Sequence, residues 1–143
     1  MKDKLYNHWL SVSNFFKIIA NTTPKSPFSI PKLDFSKITK EQLLQSFLPT
    51  QPWGDYHPTK LIQWYDLSGI KVTNRGVELS VTDNVLSSKD GLIPFGVGLL
   101  CSKEPYTYGL YEWDITLPKG KQLWPAIWLS NYDTWPPEID VIE

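Results

Sequence analysis

The chain has 143 residues, and its 14 lysines and arginines almost balance its 15 aspartates and glutamates, which gives a formal net charge of −1. This length allows about one domain, and the near-zero charge does not indicate a nucleic-acid partner, which would need a basic surface. The single cysteine, Cys101, excludes an internal disulfide and is expected to be a buried thiol. His8 and His57 lack the spacing of metal ligands, so neither a metal site nor another cofactor is expected.

The first predicted element is an amphipathic helix over residues 3–20. Its apolar residues recur at helical spacings of three and four: Leu5, Trp9, Val12, Phe16 and Ile19. The segment is too polar to span a membrane and makes a poor signal peptide, so no transmembrane segment is expected. It could lie on a membrane surface, but we favour a helix packed on the domain or a poorly ordered leader.

A proline-rich stretch over residues 21–36 separates this helix from the next element. It holds Pro24, Pro27 and Pro31 without a hydrophobic period, which is typical of an extended linker. Thr39 followed by Gln42 is a capping-box pattern and predicts a short helix through about residue 47. We interpret residues 1–48 as an N-terminal segment of unassigned function, separate from residues 49–143.

Beyond residue 53 the pattern changes to short strands and turns. It predicts a short strand at residues 61–65, a hairpin formed by residues 70–73 and 77–81 around Asn74-Arg75-Gly76, and a loop at residues 87–91. In the second strand of that hairpin, Glu78 and Ser80 alternate with apolar residues, which predicts one wet face and one dry face.

Four more strands are predicted toward the end of the chain. They cover residues 96–100, where glycines allow close approach of another backbone, residues 106–117, residues 123–129 and the acid-bearing residues 135–143. Short strands separated by turns about every ten residues predict an all-β sandwich.

The last predicted strand carries the candidate chemistry. Its acids, Glu138, Asp140 and Glu143, alternate with β-branched residues, but Glu143 lies an odd number of positions after Glu138 and would face the other way on a regular strand. A β-bulge at Val141-Ile142 would return Glu143 to the acidic face, with the two glutamate α-carbons roughly 13 Å apart. Long side chains could then close to the ~5–5.5 Å that separates the carboxyl groups of a retaining glycosidase. The alternative is an acidic edge strand that resists aggregation.

Four segments in order carry a resemblance to a known family. They are Tyr108-Gly109-Leu110-Tyr111-Glu112, Leu117-Pro118-Lys119-Gly120, Leu123-Trp124-Pro125-Ala126-Ile127-Trp128-Leu129 and Trp135-Pro136-Pro137-Glu138-Ile139-Asp140-Val141-Ile142-Glu143. Together they resemble glycoside hydrolase family 16, in its bulged E-x-D-x-x-E subgroup of laminarinase-, agarase- and carrageenase-like enzymes. Asp114 stands where that family often has a basic residue, so a sugar contact there is not carried over.

The resemblance implies a fold and an activity. It implies a concanavalin A-like jelly-roll sandwich and retaining endo-hydrolysis of a β-linked polysaccharide such as a β-1,3/1,4-glucan or galactan. Glu138 would be the nucleophile and Glu143 the general acid and base, while Asp140 would hydrogen-bond to Glu138. Family members continue with more strands, so we expect an N-terminal fragment that lacks its C-terminal half and is inactive alone. Because polysaccharides lie outside cells, we expect an extracellular or cell-surface location, although no clear signal peptide is visible.

The aromatic residues add candidates for binding sugar. The chain has seven tryptophans, and tryptophans outside a protein core are common where sugar rings stack on flat apolar faces. Trp135, Trp124, Trp128 and Glu112 are the candidate substrate-binding residues, with Trp124 and Trp128 expected on one face of their strand. A non-catalytic carbohydrate-binding or structural module and a transglycosylase are the alternatives to a hydrolase. The acid triplet favours an enzyme over the binding module, whereas a transglycosylase would use the same residues.

Overall fold

The computed structural model describes residues 33–57, 59, 61–106, 111, 113–131 and 133–143, and the backbone of residues 9–12. The described part of the chain is mostly strand, with one short α-helix, α1 (Lys40–Ser46), and one 3-10 turn, Leu67–Gly69. The strands are β1 (Trp9–Val12), β2 (Phe47–Leu48), β3 (Gln63–Tyr65), β4 (Ile70–Thr73), β5 (Gly76–Thr82), β6 (Leu86–Ser88), β7 (Gly91–Ile93), β8 (Phe95–Val97), β9 (Cys101–Ser102), β10 (Ile127–Ser130) and β11 (Glu138–Ile142).

Strand β5 organises the largest sheet. It pairs antiparallel with β1, β4 and β8, and β8 pairs in parallel with β3. The other pairs, β2–β9, β6–β7 and β10–β11, are antiparallel two-stranded ladders. The prediction of an all-β chain is confirmed, and its several sheets agree with a sandwich. Within the described residues, no helix is long and apolar enough to cross a membrane.

The N-terminal helix prediction is wrong for residues 9–12. These residues form β1, and Trp9 to Val12 pair with Ser80 to Val77 of β5. Tertiary pairing has overridden the helical spacing of the apolar residues, because β5 offers these residues a ladder of backbone hydrogen bonds in place of those within a helix. The rest of the predicted helix lies outside the described residues.

Helix α1 begins where the capping box predicts. The Gln42 backbone N–H donates to Thr39 Oγ1 over 3.2 Å, and the Thr39 N–H donates to Gln42 Oε1 over 2.9 Å. These two bonds satisfy donors that a helix start otherwise leaves open. The helix ends at Ser46, and the chain continues directly into β2.

The core joins α1 to the main sheet. Its buried side chains are Phe35, Leu43, Phe47, Ile70 and Val77, and the Phe35 and Phe47 rings pack with centroids 5.9 Å apart. Phe35 lies in the part of the predicted linker that the structure describes, yet it is only 1% exposed. The core therefore crosses position 48, where the sequence suggested a boundary.

The predicted hairpin of β4 and β5 is present, but its expected wet face is not. Thr73 pairs with Gly76, and Thr73 Oγ1 also donates to the Gly76 carbonyl over 3.0 Å. Glu78 and Ser80 are only 8% and 9% exposed. Val77 and Glu78 lie on opposite faces of β5 and are both buried, so both faces are covered at this point. Glu78 meets Arg75 at 3.4 Å, and Ser80 Oγ donates to the Gly69 carbonyl.

Close backbone approach explains why the glycines stand near β8. A Cβ on Gly98 would collide with the Gly69 carbonyl, and a Cβ on Gly96 would collide with Thr82 and Asp66. The close approach that the sequence predicted is confirmed, although β8 is shorter than predicted and ends at Val97. The region predicted as a loop at residues 87–91 instead belongs to the β6–β7 hairpin, whose Ser88 pairs with Gly91.

Two of the later strand predictions are too long. Of the predicted strand at residues 106–117, Tyr111 and residues 113–117 are described beyond Tyr106, and none of them lies in a named strand. Residues 107–110 and Glu112 lie outside the described residues. The predicted strand at residues 123–129 is β10, which begins only at Ile127, because residues 118–125 include Pro118, Gly120 and Pro125 and so favour turn over strand.

Candidate functional site

The acid-bearing strand β11 pairs with β10 across a loop. Ser130 opposes Glu138, Leu129 opposes Ile139 and Trp128 opposes Asp140. In the loop, the Asn131 N–H donates to the Pro137 carbonyl over 3.3 Å, and the Asp133 N–H donates to Asn131 Oδ1 over 3.0 Å. The first bond joins the residue after β10 to the residue before β11, and the second lies within the loop. The pairing of the two strands fixes which side chains share a face.

The register of this hairpin shifts by one residue at Val141. Trp128 opposes Asp140, but the preceding residue, Ile127, opposes Ile142. Val141 is therefore an extra residue on β11, which is the arrangement of a β-bulge. The bulge lies where the spacing of the acids predicts it.

The bulge decides the face on which Glu143 lies. Directly opposed residues of an antiparallel pair share a face, so Glu138 and Asp140 lie on the face that carries Trp128. Ile142 opposes Ile127 and therefore lies on the other face with Ile139. Continued alternation would bring Glu143, which follows Ile142, to the face of Glu138 and Asp140, which we call the acid face.

The side chains of the acid face are accessible to solvent. Glu138, Asp140 and Glu143 are all exposed, so their charges carry little of the desolvation penalty that a buried carboxylate carries. On the opposite face, Ile139 is 62% exposed and Val141 47% exposed. The strand thus presents an acidic and an apolar surface together.

The predicted aromatic binding residues differ in their surroundings. Trp135 is 74% exposed and Trp124 is 65% exposed, whereas Trp128 is half-buried. Trp124 lies before β10 begins, so the expectation that Trp124 and Trp128 share one strand face is wrong. Glu112 lies outside the described residues. The structure thus brings Trp128 together with the acids, while Trp135 lies in the loop that leads into β11.

An aromatic residue that the sequence analysis did not single out touches this site. The Trp53 and Trp128 ring centroids are 6.4 Å apart, with 31° between the ring planes. Trp53 is far from Trp128 in the chain and lies in no periodic pattern. No local sequence signal identifies such a contact.

The structure also contains a buried carboxylate that the sequence analysis missed. Asp66 is 5% exposed and accepts hydrogen bonds from the Ser68 N–H and hydroxyl, the Thr82 hydroxyl and the Asn84 amide at 2.7–2.8 Å. Burial alone would raise the pKa of Asp66, but the bonds from Ser68, Asn84 and Thr82 outweigh it and the pKa is lowered. A carboxylate with its oxygens satisfied in this way cross-links the fold and is closed to a substrate.

A shallow depression beside α1 contains another carboxylate, Asp34. It is lined by Leu33, Asp34, Lys37, Ile38, Gln42, Gln45 and Ser46. The Ser36 hydroxyl and Lys37 bond to Asp34 and lower its pKa to about 2. Asp34 is the one carboxylate among the residues that line this depression, so the depression lacks the pair of carboxyl groups that retaining glycoside hydrolysis needs.

No family model matches the chain, and no solved structure matches it. It is 32% identical over 96 residues to the endo-1,3-1,4-beta-glycanase EglC of Rhizobium meliloti (strain 1021), which covers 57% of this chain and 21% of that protein. It is 40% identical over 63 residues to a glucan endo-1,3-beta-glucosidase of Cryptopygus antarcticus, covering 38% of this chain and 23% of that protein. A 38-residue match to the endo-1,3-1,4-beta-glycanase ExsH of Rhizobium meliloti (strain 1021) has 47% identity, over 26% of this chain and 8% of that protein. The matched parts thus span less than a quarter of each of these relatives, and all three relatives carry names of glycan-cleaving enzymes.

Proposed function

We propose that this sequence carries the catalytic acids of a retaining endo-β-glycosidase of the family 16 type. Its substrate would be a β-1,3- or β-1,4-linked glucan or galactan. The observation that carries the proposal is the register shift at Val141, since strand alternation after it would bring Glu143 to the face of Glu138 and Asp140. The names of the matched relatives support the same class of reaction.

In this proposal the two glutamates perform a double displacement. The Glu138 carboxylate attacks the anomeric carbon while the Glu143 carboxylic acid protonates the leaving glycosidic oxygen, so one C–O bond breaks as the glycosyl–enzyme ester forms. Glu143, now ionised, takes a proton from water. That water attacks the anomeric carbon, releases Glu138 and restores the original stereochemistry.

Asp140 serves as a positioning residue in this scheme. It lies between the glutamates on the acid face, opposite Trp128. A hydrogen bond between Asp140 and Glu138 would fix the direction from which Glu138 attacks. The exposed rings of Trp135 and Trp124 would supply flat surfaces for sugar on either side of the cleaved bond. A polysaccharide substrate also favours an extracellular or cell-surface location.

The test uses the complete protein that carries this sequence and follows hydrolysis of β-1,3-glucan, mixed-linkage glucan and agarose. Replacing Glu138 with Gln or Glu143 with Gln removes a reacting group but keeps size and shape, so each change is expected to lower kcat by about a thousandfold or more. Glu104→Gln is the matched control, because Glu104 is also exposed but lies outside the site. NMR of the first product formed by the wild type is expected to show the β-anomer.

Four results would contradict the proposal. Full activity of Glu138→Gln would remove the nucleophile assignment, and an α-anomer as first product would exclude a retaining mechanism. Glycan binding by the wild type without any bond cleavage would indicate the binding module instead. Transfer of the cleaved glycan to a sugar acceptor, rather than to water, would identify a transglycosylase that uses the same two glutamates.

A further inference from the structure

Trp53 lies on a tight turn that holds its ring partly in solvent. The turn is closed by the Gly54 N–H, which donates to the Gln51 carbonyl over 3.0 Å, and Gly54 has a φ of 114°, a value that favours glycine. Trp53 is 52% exposed although it is one of the largest apolar side chains in the protein. A constrained turn thus leaves part of a large apolar ring accessible to a ligand.

One side of Trp53 meets the acid face. Its ring packs on Trp128 at a centroid distance of 6.4 Å and a tilt of 31°, within the range of attractive aromatic pairs. Trp128 is the residue directly opposite Asp140. Trp53 therefore adds a second indole ring, tilted by 31°, next to Trp128.

Another side of Trp53 is fixed by strand β3. The Tyr65 N–H donates to the Asp55 carbonyl over 2.7 Å, which ties the Trp53 turn to the end of β3. Burial raises the pKa of Tyr65, and a hydrogen bond with the Trp53 side chain offsets part of that rise. The turn that carries Trp53 is therefore held against β3.

We propose that Trp53 and Trp128 form one aromatic platform that stacks glucose units of a β-linked glucan beyond the unit that reacts at the acids. The inference rests on the proposed function for its substrate class. Glucose in β-linkage carries its hydroxyl groups around the ring edge and exposes flat C–H faces, which pack on indole rings. Two indole rings with centroids 6.4 Å apart span more than the width of one sugar ring, so the platform suits an oligosaccharide rather than a single sugar.

The experiment measures glucan binding to the complete protein carrying Glu138→Gln, so that the ligand is not consumed. The probes are a β-1,3-linked glucose hexamer and the corresponding dimer, titrated by calorimetry. Adding Trp53→Ala is expected to weaken hexamer binding by about tenfold, because a stacked ring loses its partner. The dimer is expected to change by less than about twofold, because it fills only the positions next to the acids.

Two further variants keep the test decisive. Trp53→Phe retains a smaller ring without the indole N–H and is expected to weaken hexamer binding by about threefold, even if Trp53→Ala does not fold. Trp64→Phe is the control: Trp64 precedes Tyr65 on β3, so it lies on the opposite face, and its indole donates to the Asn84 carbonyl over 3.0 Å. That control is expected to leave both affinities unchanged.

The failure of this inference can be told from the failure of the proposed function. Three results would overturn the platform. The first is an unchanged hexamer affinity in folded Trp53→Ala and Trp53→Phe proteins, and the second is an equal weakening of hexamer and dimer binding. The third is no hexamer binding before Trp53 is changed. Release of reducing ends by the Glu138→Gln protein would instead overturn the nucleophile assignment, while the effect of Trp53 on affinity would still be read from the initial heat.

Discussion

Two groups of acids in this protein lie in opposite environments. Asp66 lies inside the main sheet, 5% exposed, and accepts four hydrogen bonds from neighbouring side chains and backbone. Glu138 and Asp140 share one face of the exposed strand β11, and the bulge at Val141 would bring the exposed Glu143 to that face as well. The comparison teaches that burial with full satisfaction makes a carboxylate part of the scaffold, whereas exposure leaves it available for a substrate.

The largest expected effect comes from the bulge itself. Inserting one alanine between Val141 and Ile142 in the complete protein moves Glu143 one position further along the strand and so to the apolar face, and kcat is expected to fall by about a thousandfold, as if the Glu143 carboxyl group had been removed. Val141→Ala keeps the spacing of the acids and is the matched control, with activity expected within about threefold of the wild type. Hydrolysis of β-1,3-glucan measures both variants. High activity after the insertion would mean that hydrolysis does not depend on the face on which Glu143 lies.

The next prediction compares the two groups: the change at Asp66 is expected to lower stability, and the change at Glu138 is expected to lower activity. Asp66→Ala strands the donors of Ser68, Thr82 and Asn84, and is expected to lower the free energy of unfolding by about 3 kcal/mol. Glu138→Ala removes an exposed side chain and is expected to change that free energy by less than about 0.5 kcal/mol, while it abolishes hydrolysis. Urea unfolding and kcat per folded molecule measure the two quantities. A stable Asp66→Ala protein would contradict the scaffold role.

A smaller effect appears in the pH dependence of stability. The pKa of Asp66 lies below its ordinary value of 3.8 in the folded state, because hydrogen bonds to the carboxylate outweigh burial. The unfolded chain therefore binds the proton first, so the Asp66 contribution is present above about pH 4 and is lost as the pH falls through the lower folded-state pKa. The temperature of thermal unfolding is expected to fall less steeply between pH 6 and pH 2 for Asp66→Asn than for the wild type. Equal slopes would show that Asp66 does not carry this dependence.

The parts of the structure that follow local rules could be predicted from the sequence. The capping box at Thr39, the turn at Asn74-Arg75-Gly76 and the bulge at Val141 each depend on the order of a few neighbouring residues. The alternation of acids and apolar residues likewise predicts β11. These features need no knowledge of what lies across the fold.

The parts that depend on distant contacts could not be predicted. Residues 9–12 form a strand because β5 offers them a ladder of backbone hydrogen bonds, and Glu78 is buried because both faces of β5 are covered at this point. Asp66 and Trp53 carry no local pattern, since their roles arise from Thr82, Asn84 and Trp128 far along the chain. The spacing of apolar residues also predicted a strand β10 that begins too early, because the predicted strand included apolar residues that lie before Ile127.

The separation of the Glu138 and Glu143 carboxyl groups tests the central claim most directly. A crystal structure of the complete protein bound to a glucan oligosaccharide would measure it. The account predicts both carboxyl groups on one side of β11, about 5–5.5 Å apart, with the sugar between them. Carboxyl groups on opposite sides of the strand, or on one side but about 6.5–9.5 Å apart around a water molecule, would contradict it.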